Sequence, residues 1–105
     1  MTLPGLPDLR EQIDAIDQQI LQLVRRRLKL VLRVGEIKRA HGVRVYDPER
    51  ERLMLDELAR AAEPPLTPET IRRIFERIID ESRSQEQHHV CESGPAPARE
   101  SVDPR

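Results

Sequence analysis

The sequence predicts an all-α protein whose chain forms three helices, and three observations lead to this fold class. A stretch of about 36 residues, 6–41, holds a single glycine and repeats apolar residues at steps of three and four. Two later stretches show the same spacing, and each begins with a helix-start signal, Asp-Pro-Glu at 47–49 and Thr-Pro-Glu at 67–69. Charged residues make up 35% of the 105 residues and aromatics only 2%, so we expect a core of Leu, Ile and Val.

The first helix is expected to be longer than the rest of a small domain can cover. At 1.5 Å per residue it would extend roughly 50 Å, whereas a compact domain of about 100 residues has a radius of gyration near 13 Å. A second copy of the chain is the simplest candidate to pair with its far end. Its apolar positions resemble a coiled-coil seam: Leu9, Ile13, Ile16, Ile20, Leu23, Leu30, Val34 and Ile37.

Local signals predict where each helix begins and ends. Asp8 is expected to cap the first helix, with Glu11 in a capping-box position, although a start nearer Leu6 competes with this assignment. The helix should end near His41, because Gly42 suits the position after a helix.

The second and third helices are bounded by proline. The prolines at 64–65 are expected to stop the second helix, and the pattern of the third fails after about Gln87. We therefore predict a helical domain over 6–90 and a disordered tail over 91–105. The predicted inner faces consist of Met54, Leu55, Leu58, Ala59 and Ala62 on the second helix and Ile71, Ile74, Phe75, Ile78 and Ile79 on the third.

Composition argues against several classes of function. The net charge of −1 does not select nucleic acid or anionic membrane, and the basic residues of 25–33 spread around the helix without interleaved aromatics. The single cysteine, Cys91, excludes an intrachain disulfide, so we expect a cytoplasmic protein. Neither a signal peptide nor a membrane span is predicted. His88, His89 and Cys91 could be imagined as metal ligands, but they fall where the helical pattern fails, and no metal site is expected.

Polar residues interrupt all three apolar faces. Arg27 occupies a seam position where an aliphatic residue is due, and Lys38 follows eleven residues later on nearly the same side, with Gly35 between them. Burying an unpaired charge costs several kcal/mol, so several such interruptions on facing helices predict a shared cationic pocket. The interruptions on the second and third helices are Asp47, Arg50, Glu51, Ser82 and Glu86.

Each of these residues also has a structural explanation. Those on the second and third helices could be solvated charges of a first turn, at Arg50 and Glu51, or mark fraying of the helix end, at Ser82 and Glu86. Arg27 could extend out of the seam to water, and Lys38 could compensate the negative end of the helix dipole. Asp47 is a helix cap whatever else it does. Gly35 could mark either a close helix crossing or room for a ligand.

Taken together, the runs of residues match a known family. The chain resembles the all-α chorismate mutases, in the order and spacing of that family over about 6–87. The resemblance implies an intertwined homodimer of three-helix chains that converts chorismate to prephenate by an intramolecular Claisen rearrangement, in phenylalanine and tyrosine biosynthesis. It implies no cofactor and no metal. The matching runs are LREQID at 9–14, RR at 26–27, VGEIK at 34–38, YDPERE at 46–51 and IIDES at 78–82.

The resemblance also implies roles for residues of the first helix. Arg10 and Arg27 match carboxylate-binding arginines, and Lys38 matches a lysine that contacts the ether oxygen and a carboxylate. Arg10 and Arg27 are 17 residues apart, about 25 Å along one helix. Both cannot hold one small ligand from the same chain, so Arg10 would have to come from the partner subunit.

The other helices supply the remaining matches. Asp47 and Glu51 match positions that meet the ring hydroxyl of the substrate, Arg50 matches the arginine beside them, and Ser82 matches a serine near a substrate carboxylate.

One position departs from the family. Four residues after Ser82, some bacterial members have a glutamine that donates a hydrogen bond to the ether oxygen, and this chain has Glu86. An ionised carboxylate cannot donate, so Glu86 would have to be protonated, its pKa raised by burial against the pull of Lys38. A shift in register that brings Gln85 or Gln87 inward is the competing interpretation.

Two other functions remain open from the sequence. An isochorismate-pyruvate lyase has the same fold and a similar cationic pocket, although the run at 46–51 favours the mutase because it offers two acidic positions for the substrate hydroxyl. A non-catalytic helical dimerisation module is the alternative from another class, and it would leave Arg27 and Lys38 facing water.

Overall fold

The structure, a computed structural model, describes residues 3–93, and side chains as far as His88. Three helices make up this part of the chain, and no strand occurs among these residues: α1 (Leu6–Ala40), α2 (Pro48–Arg60) and α3 (Pro68–Ser93). The all-α, three-helix prediction is therefore confirmed. The chain divides into two compact units, Met1–Leu30 and Val31–Arg105, and α1 continues from the first into the second.

The beginning of α1 differs from the predicted cap. The helix already starts at Leu6, and its early backbone bonds run from Leu9 N to Gly5 O at 3.1 Å and from Leu6 N to Leu3 O at 3.2 Å. Asp8 therefore lies inside the first turn, so its assignment as the N-cap is wrong. Its carboxylate still sits where the positive end of the helix dipole favours a negative charge.

The end of α1 follows the glycine signal. Gly42 has a positive φ of 69°, which a residue without a Cβ adopts at little cost. Val43 N donates to Lys38 O at 2.8 Å, and Gly42 N donates to Arg39 O at 3.1 Å. These two bonds form a Schellman motif and satisfy carbonyls that the last turn would otherwise leave unpaired.

The two Pro-containing start signals form helix caps as predicted. The Asp47 carboxylate accepts a hydrogen bond from Arg50 N at 3.1 Å, and Thr67 Oγ1 accepts one from Thr70 N at 3.1 Å. The following prolines occupy the first helical positions, where a missing N–H costs nothing.

The third helix is longer than the sequence predicts. It continues to Ser93, three residues into the segment 91–105 expected to be a tail. The rest of that segment, 94–105, lies outside the described residues.

Helices α2 and α3 pack against each other within the second unit. Arg72 near the start of α3 pairs with Asp56 at 2.8 Å, and Arg83 further along α3 pairs with Glu51 near the start of α2 at 2.7 Å. The two pairs show that the helices run antiparallel. Hydrogen bonding from Arg72 lowers the pKa of Asp56. The buried apolar residues of this unit are Ala59, Ile71 and Ile79.

One residue of the predicted inner face is not covered. Ile74 is 48% exposed, whereas Phe75 and Ile78 are part-buried and Ile79 is buried. With about 100° of rotation per residue, Ile74 falls roughly 110° from the centre of the arc that the covered residues of α3 define. Its assignment to the inner face is therefore wrong for the single chain.

The predicted seam of α1 is exposed along its whole length. Its eight apolar residues each keep between 48% and 65% of their surface accessible. In the second unit a different side of α1 is covered, centred on the buried Gly35 and flanked by part-buried Val31, Leu32, Lys38 and Arg39. No helix in the part of the chain described is long and apolar enough to span a membrane.

Candidate functional site

The polar site of the second unit is built around Gly35. A Cβ added at this glycine would lie 2.5 Å from Glu86 Oε2 and 3.3 Å from an Arg39 guanidinium nitrogen. Contacts under 3.0 Å essentially never occur for a real Cβ. Gly35 therefore makes room for the Glu86 side chain of α3.

The contact at Gly35 also shows which residue near the end of α3 faces inward. Glu86 is part-buried, while Gln85 and Gln87 on either side of it are exposed. Glu86 therefore faces inward in the structure, and the competing register with Gln85 or Gln87 at this position is not observed.

The surroundings of Glu86 act on its pKa in opposite directions. Burial raises the pKa of this carboxyl above its usual value, because desolvation disfavours the charged form. Arg39, Lys38 and Arg83 lower the pKa, and the carboxylate of Glu51 raises it. Four charged groups from three helices thus act on the Glu86 carboxyl, and we refer to Lys38, Arg39, Glu51, Arg83 and Glu86 as the charged cluster.

Arg83 is a member of the cluster that the sequence analysis missed. Its Nη2 donates to Glu51 Oε1 at 2.7 Å, and its guanidinium carbon lies 4.5 Å from the centroid of the Tyr46 ring. Its Nη1 lies 3.7 Å from a carboxylate oxygen of Asp80. The hydrogen bond to Glu51 raises the pKa of Arg83, so this side chain stays charged.

One atom of Arg83 remains unsatisfied. The Nε is buried and has no hydrogen-bond partner in the single chain. A buried donor of this kind is rare in proteins. The only local signal for Arg83 was its position directly after Ser82 on the same stripe, and its partner lies 32 residues away on another helix.

The cluster is suited chemically to an anionic ligand. It contains three cations and two carboxylates, and protonation of Glu86 would leave two net positive charges. A protonated carboxyl is also a hydrogen-bond donor, in contrast to the ionised form. The arrangement can therefore hold negative groups and donate a hydrogen bond in one place.

Ser82 lies on the same stripe of α3 as Glu86. It is buried, and its hydroxyl donates to the carbonyl of Ile78 at 2.8 Å. This bond stays within the helix and fixes the hydroxyl oxygen at the α3 surface.

Two predicted residues of α2 lie at its exposed end. Asp47 and Arg50 are both exposed, and the bond between them joins the Asp47 carboxylate to the Arg50 backbone. The structure shows Asp47 as a cap and does not bring either side chain into the charged cluster.

The two predicted arginines of α1 belong to the first unit. Arg10 is exposed and Arg27 is part-buried. The charged cluster lies in the second unit and does not include them. Among the residues with described side chains, no group of three His, Cys, Asp or Glu could hold a metal ion, and His89 and Cys91 lie outside that set.

Comparisons with known proteins agree on one family. The family model "Chorismate mutase type II" matches residues 9–87. The chain is 38% identical to a T-protein of Haemophilus influenzae over 80% of its length, but it spans only 22% of that relative. It is 35% identical to a 4-amino-4-deoxychorismate mutase of Streptomyces pristinaespiralis (95% of this chain, 81% of the relative) and 32% identical to a chorismate mutase of Methanocaldococcus jannaschii (84% and 90%).

Solved structures give the same family. A chorismate mutase of Thermus thermophilus superposes with a TM-score of 0.76 at 34% identity, covering 78% of this chain and 93% of the other. A chorismate mutase of Helicobacter pylori, solved in complex with prephenate, superposes with a TM-score of 0.72 at 28% identity, covering 79% and 90%.

Proposed function

Because this chain belongs to the chorismate mutase type II family, we propose that it converts chorismate to prephenate, in phenylalanine and tyrosine biosynthesis. The observation that supports this most strongly is the charged cluster, in which a half-buried carboxyl with a raised pKa lies among three cations. Chorismate carries two carboxylates, so it matches the two net positive charges of the cluster with Glu86 protonated. The T-protein is far longer than this chain, so the proposal concerns the activity of this chain alone.

The reaction needs only positioning and electrostatic stabilisation. One C–O bond breaks and one C–C bond forms within the substrate, and no proton or electron enters or leaves. The pocket would hold the enolpyruvyl arm over the ring. Because the substrate then loses its rotational freedom on binding, less freedom has to be lost at the transition state, and the barrier is lower. Negative charge grows on the ether oxygen as the C–O bond breaks, and donors aimed at it lower the transition state.

We assign those donors to Lys38 and Glu86. Lys38 is part-buried in the last turn of α1 and would contact the ether oxygen and one carboxylate. Protonated Glu86 would donate a hydrogen bond to the same oxygen. The burial that raises its pKa supports this protonation state.

The remaining roles concern binding. Arg27 would hold one carboxylate and Ser82 would lie near the other. Glu51 and Asp47 would lie at the ring hydroxyl, where one of the two carboxylates accepts its single O–H hydrogen bond, with Arg50 beside them. Since Asp47 and Arg50 are exposed, their contacts with substrate would form at the edge of the pocket.

We further propose that the active protein is an intertwined homodimer. The six seam residues of the first unit form an exposed apolar stripe on a lone helical segment. Contiguous apolar surface of this kind marks an interaction site, and a second α1 with the same stripe is complementary to it. The partner subunit would then supply Arg10, because this residue lies about 25 Å along the helix from Arg27. We place the dimer in the cytoplasm, since the single cysteine at 91 offers no intrachain disulfide.

Loss of chorismate absorbance on addition of purified protein tests the activity directly. Arg27→Ala, purified in the same way, should lose roughly 2–3 kcal/mol of transition-state stabilisation, because a charged hydrogen-bond partner of the substrate is removed. A contaminating host enzyme would be unaffected by this substitution, so the variant is the control for contamination. Release of pyruvate from isochorismate, without turnover of chorismate, would favour the lyase. No turnover of either substrate would favour the non-catalytic module.

Gly35→Ala should separate stability from activity. The added methyl group would displace the Glu86 carboxyl, which lies 2.5 Å from the new Cβ. Glutamate is flexible, so its movement costs little, while alanine favours the helix by about 1 kcal/mol. We expect a thermal midpoint equal to or above wild type and kcat reduced about tenfold. Circular dichroism and steady-state kinetics measure the two, and unchanged kcat would contradict the role of the Gly35–Glu86 contact.

A further inference from the structure

The family comparison leaves the substrate's ring substituent open. Relatives of similar identity are named for chorismate and for 4-amino-4-deoxychorismate, and these molecules differ in having a ring hydroxyl or a ring amine. An aliphatic amine is protonated at neutral pH, so the second ligand carries a positive charge where the first carries a neutral hydroxyl. Charges near that substituent can therefore discriminate between them.

The structure shows an unusual arrangement at the carboxylate proposed to meet this substituent. Glu51 is not a lone anion, because Arg83 donates to its Oε1 at 2.7 Å. Arg83 is itself held in place by the Tyr46 ring, 4.5 Å from its guanidinium carbon. The pair is about one-third exposed on both sides, so it is partly removed from water.

Pairing changes what Glu51 can recognise. A carboxylate has room for several hydrogen bonds, so the oxygen not bonded to Arg83 can still accept from a hydroxyl. Its attraction for a cation, in contrast, is offset by the guanidinium beside it. An ammonium brought to Glu51 would meet a pair with no net charge, and it would be repelled by Arg83 at close range.

We infer that Arg83 is a specificity-determining residue that makes the pocket select a ring hydroxyl over a ring ammonium by neutralising Glu51. The inference rests on the proposed function and deepens it. Arg83 acts by its charge, which offsets Glu51 and repels a nearby ammonium, so it is a positioning residue and needs no hydrogen bond to the substrate.

The test is the ratio of kcat/KM for chorismate to kcat/KM for 4-amino-4-deoxychorismate. Both substrates have two carboxylates, so any general loss of anion binding on removing Arg83 cancels in the ratio. Wild type should prefer chorismate. Arg83→Met should move the ratio toward the amino substrate by about tenfold, the size expected for one partly exposed charge.

Two variants at Glu51 examine the mechanism. Glu51→Gln alone should move the ratio further toward chorismate, because Arg83 then faces the ammonium without a counter-charge. In the double variant Arg83→Met with Glu51→Gln, the gain for the amino substrate should disappear. A gain that persists without the Glu51 charge would contradict the inference.

Matched controls separate this role from a structural one. Arg83→Lys keeps the charge and should keep a ratio close to wild type. Arg77→Met removes an arginine from the same helix that also pairs with an acidic residue, Glu81 at 2.7 Å, but is largely exposed, and it should leave the ratio unchanged. Circular dichroism checks folding, and Arg83→Gln replaces Arg83→Met in both the single and the double variant if Arg83→Met does not fold.

The outcomes distinguish the two proposals. A wild-type protein inactive on both substrates would reject the proposed function and this inference with it. A wild type active on chorismate but with the same ratio as Arg83→Met, or one that prefers the amino substrate, would reject this inference alone.

Discussion

Arg10→Ala and Lys38→Ala chains, each nearly inactive alone, are expected to recover about a quarter of wild-type activity when they are mixed. Removal of a donor to the developing charge on the ether oxygen costs about a hundredfold to a thousandfold in kcat, and loss of Arg10 removes a carboxylate partner. In a mixed dimer, one site combines Arg10 from one chain with Lys38 from the other. About half of the dimers are mixed and one of their two sites is intact, which gives the quarter.

A second pair of variants is the control. Arg27 and Lys38 lie on nearly the same side of α1, eleven residues apart in sequence, and are proposed to act in one site from one chain. Mixing Arg27→Ala with Lys38→Ala should therefore restore nothing. Chains refolded together from denaturant would be assayed for loss of chorismate absorbance. If Arg10→Ala and Lys38→Ala fail to complement although light scattering shows dimers, Arg10 does not act across the interface.

The parts of the fold that could be predicted from sequence are those governed by local chemistry. Asp47 and Thr67 cap their helices because a side-chain oxygen followed by proline satisfies the first backbone donors. Gly42 ends α1 because it accepts a positive φ. Asp8 shows the weakness of such signals, since the helix begins at Leu6, after a turn through Gly5, three residues before the first position that a cap at Asp8 implies.

The side of α1 that its own chain covers could not be predicted. Periodicity marks the aliphatic seam as the apolar face, and those residues remain exposed. The covered side is centred on Gly35, and a face built from a glycine and cations does not register as apolar. Sequence reasoning therefore identified the apolar face and a second copy as its simplest partner, but it could not identify the side of α1 that the chain itself covers.

The candidate site could be predicted only in part, because sequence periodicity shows which residues interrupt an apolar face but not which residues pair between helices. Lys38, Ser82 and Glu86 were recognised because they interrupt apolar stripes, and the structure covers each of them at least in part. Arg83 was missed because its importance comes from a partner on another helix. Pairing of this kind depends on the antiparallel register of α2 and α3, which no local pattern encodes.

The activity of the wild-type protein is expected to fall as the pH rises through the pKa of Glu86. Burial raises that pKa, and the protonated form is the hydrogen-bond donor. Activity is therefore present below the raised pKa and declines above it by about tenfold per pH unit. Three cations, Arg39, Lys38 and Arg83, oppose the shift in the single chain. The negative charge of a bound dianion would offset these cations and raise the pKa of Glu86 further.

Glu86→Gln should remove this dependence, because an amide donates a hydrogen bond at every pH. Its kcat is expected to stay level where the wild-type kcat falls, so the variant should become the faster enzyme at alkaline pH. Glu81→Gln is the matched control, since it removes an exposed carboxylate of the same helix that pairs with Arg77, and it should keep the wild-type profile. Measurement of kcat from pH 5 to 9 decides the matter, because a flat wild-type profile would mean that no proton on Glu86 contributes to the reaction.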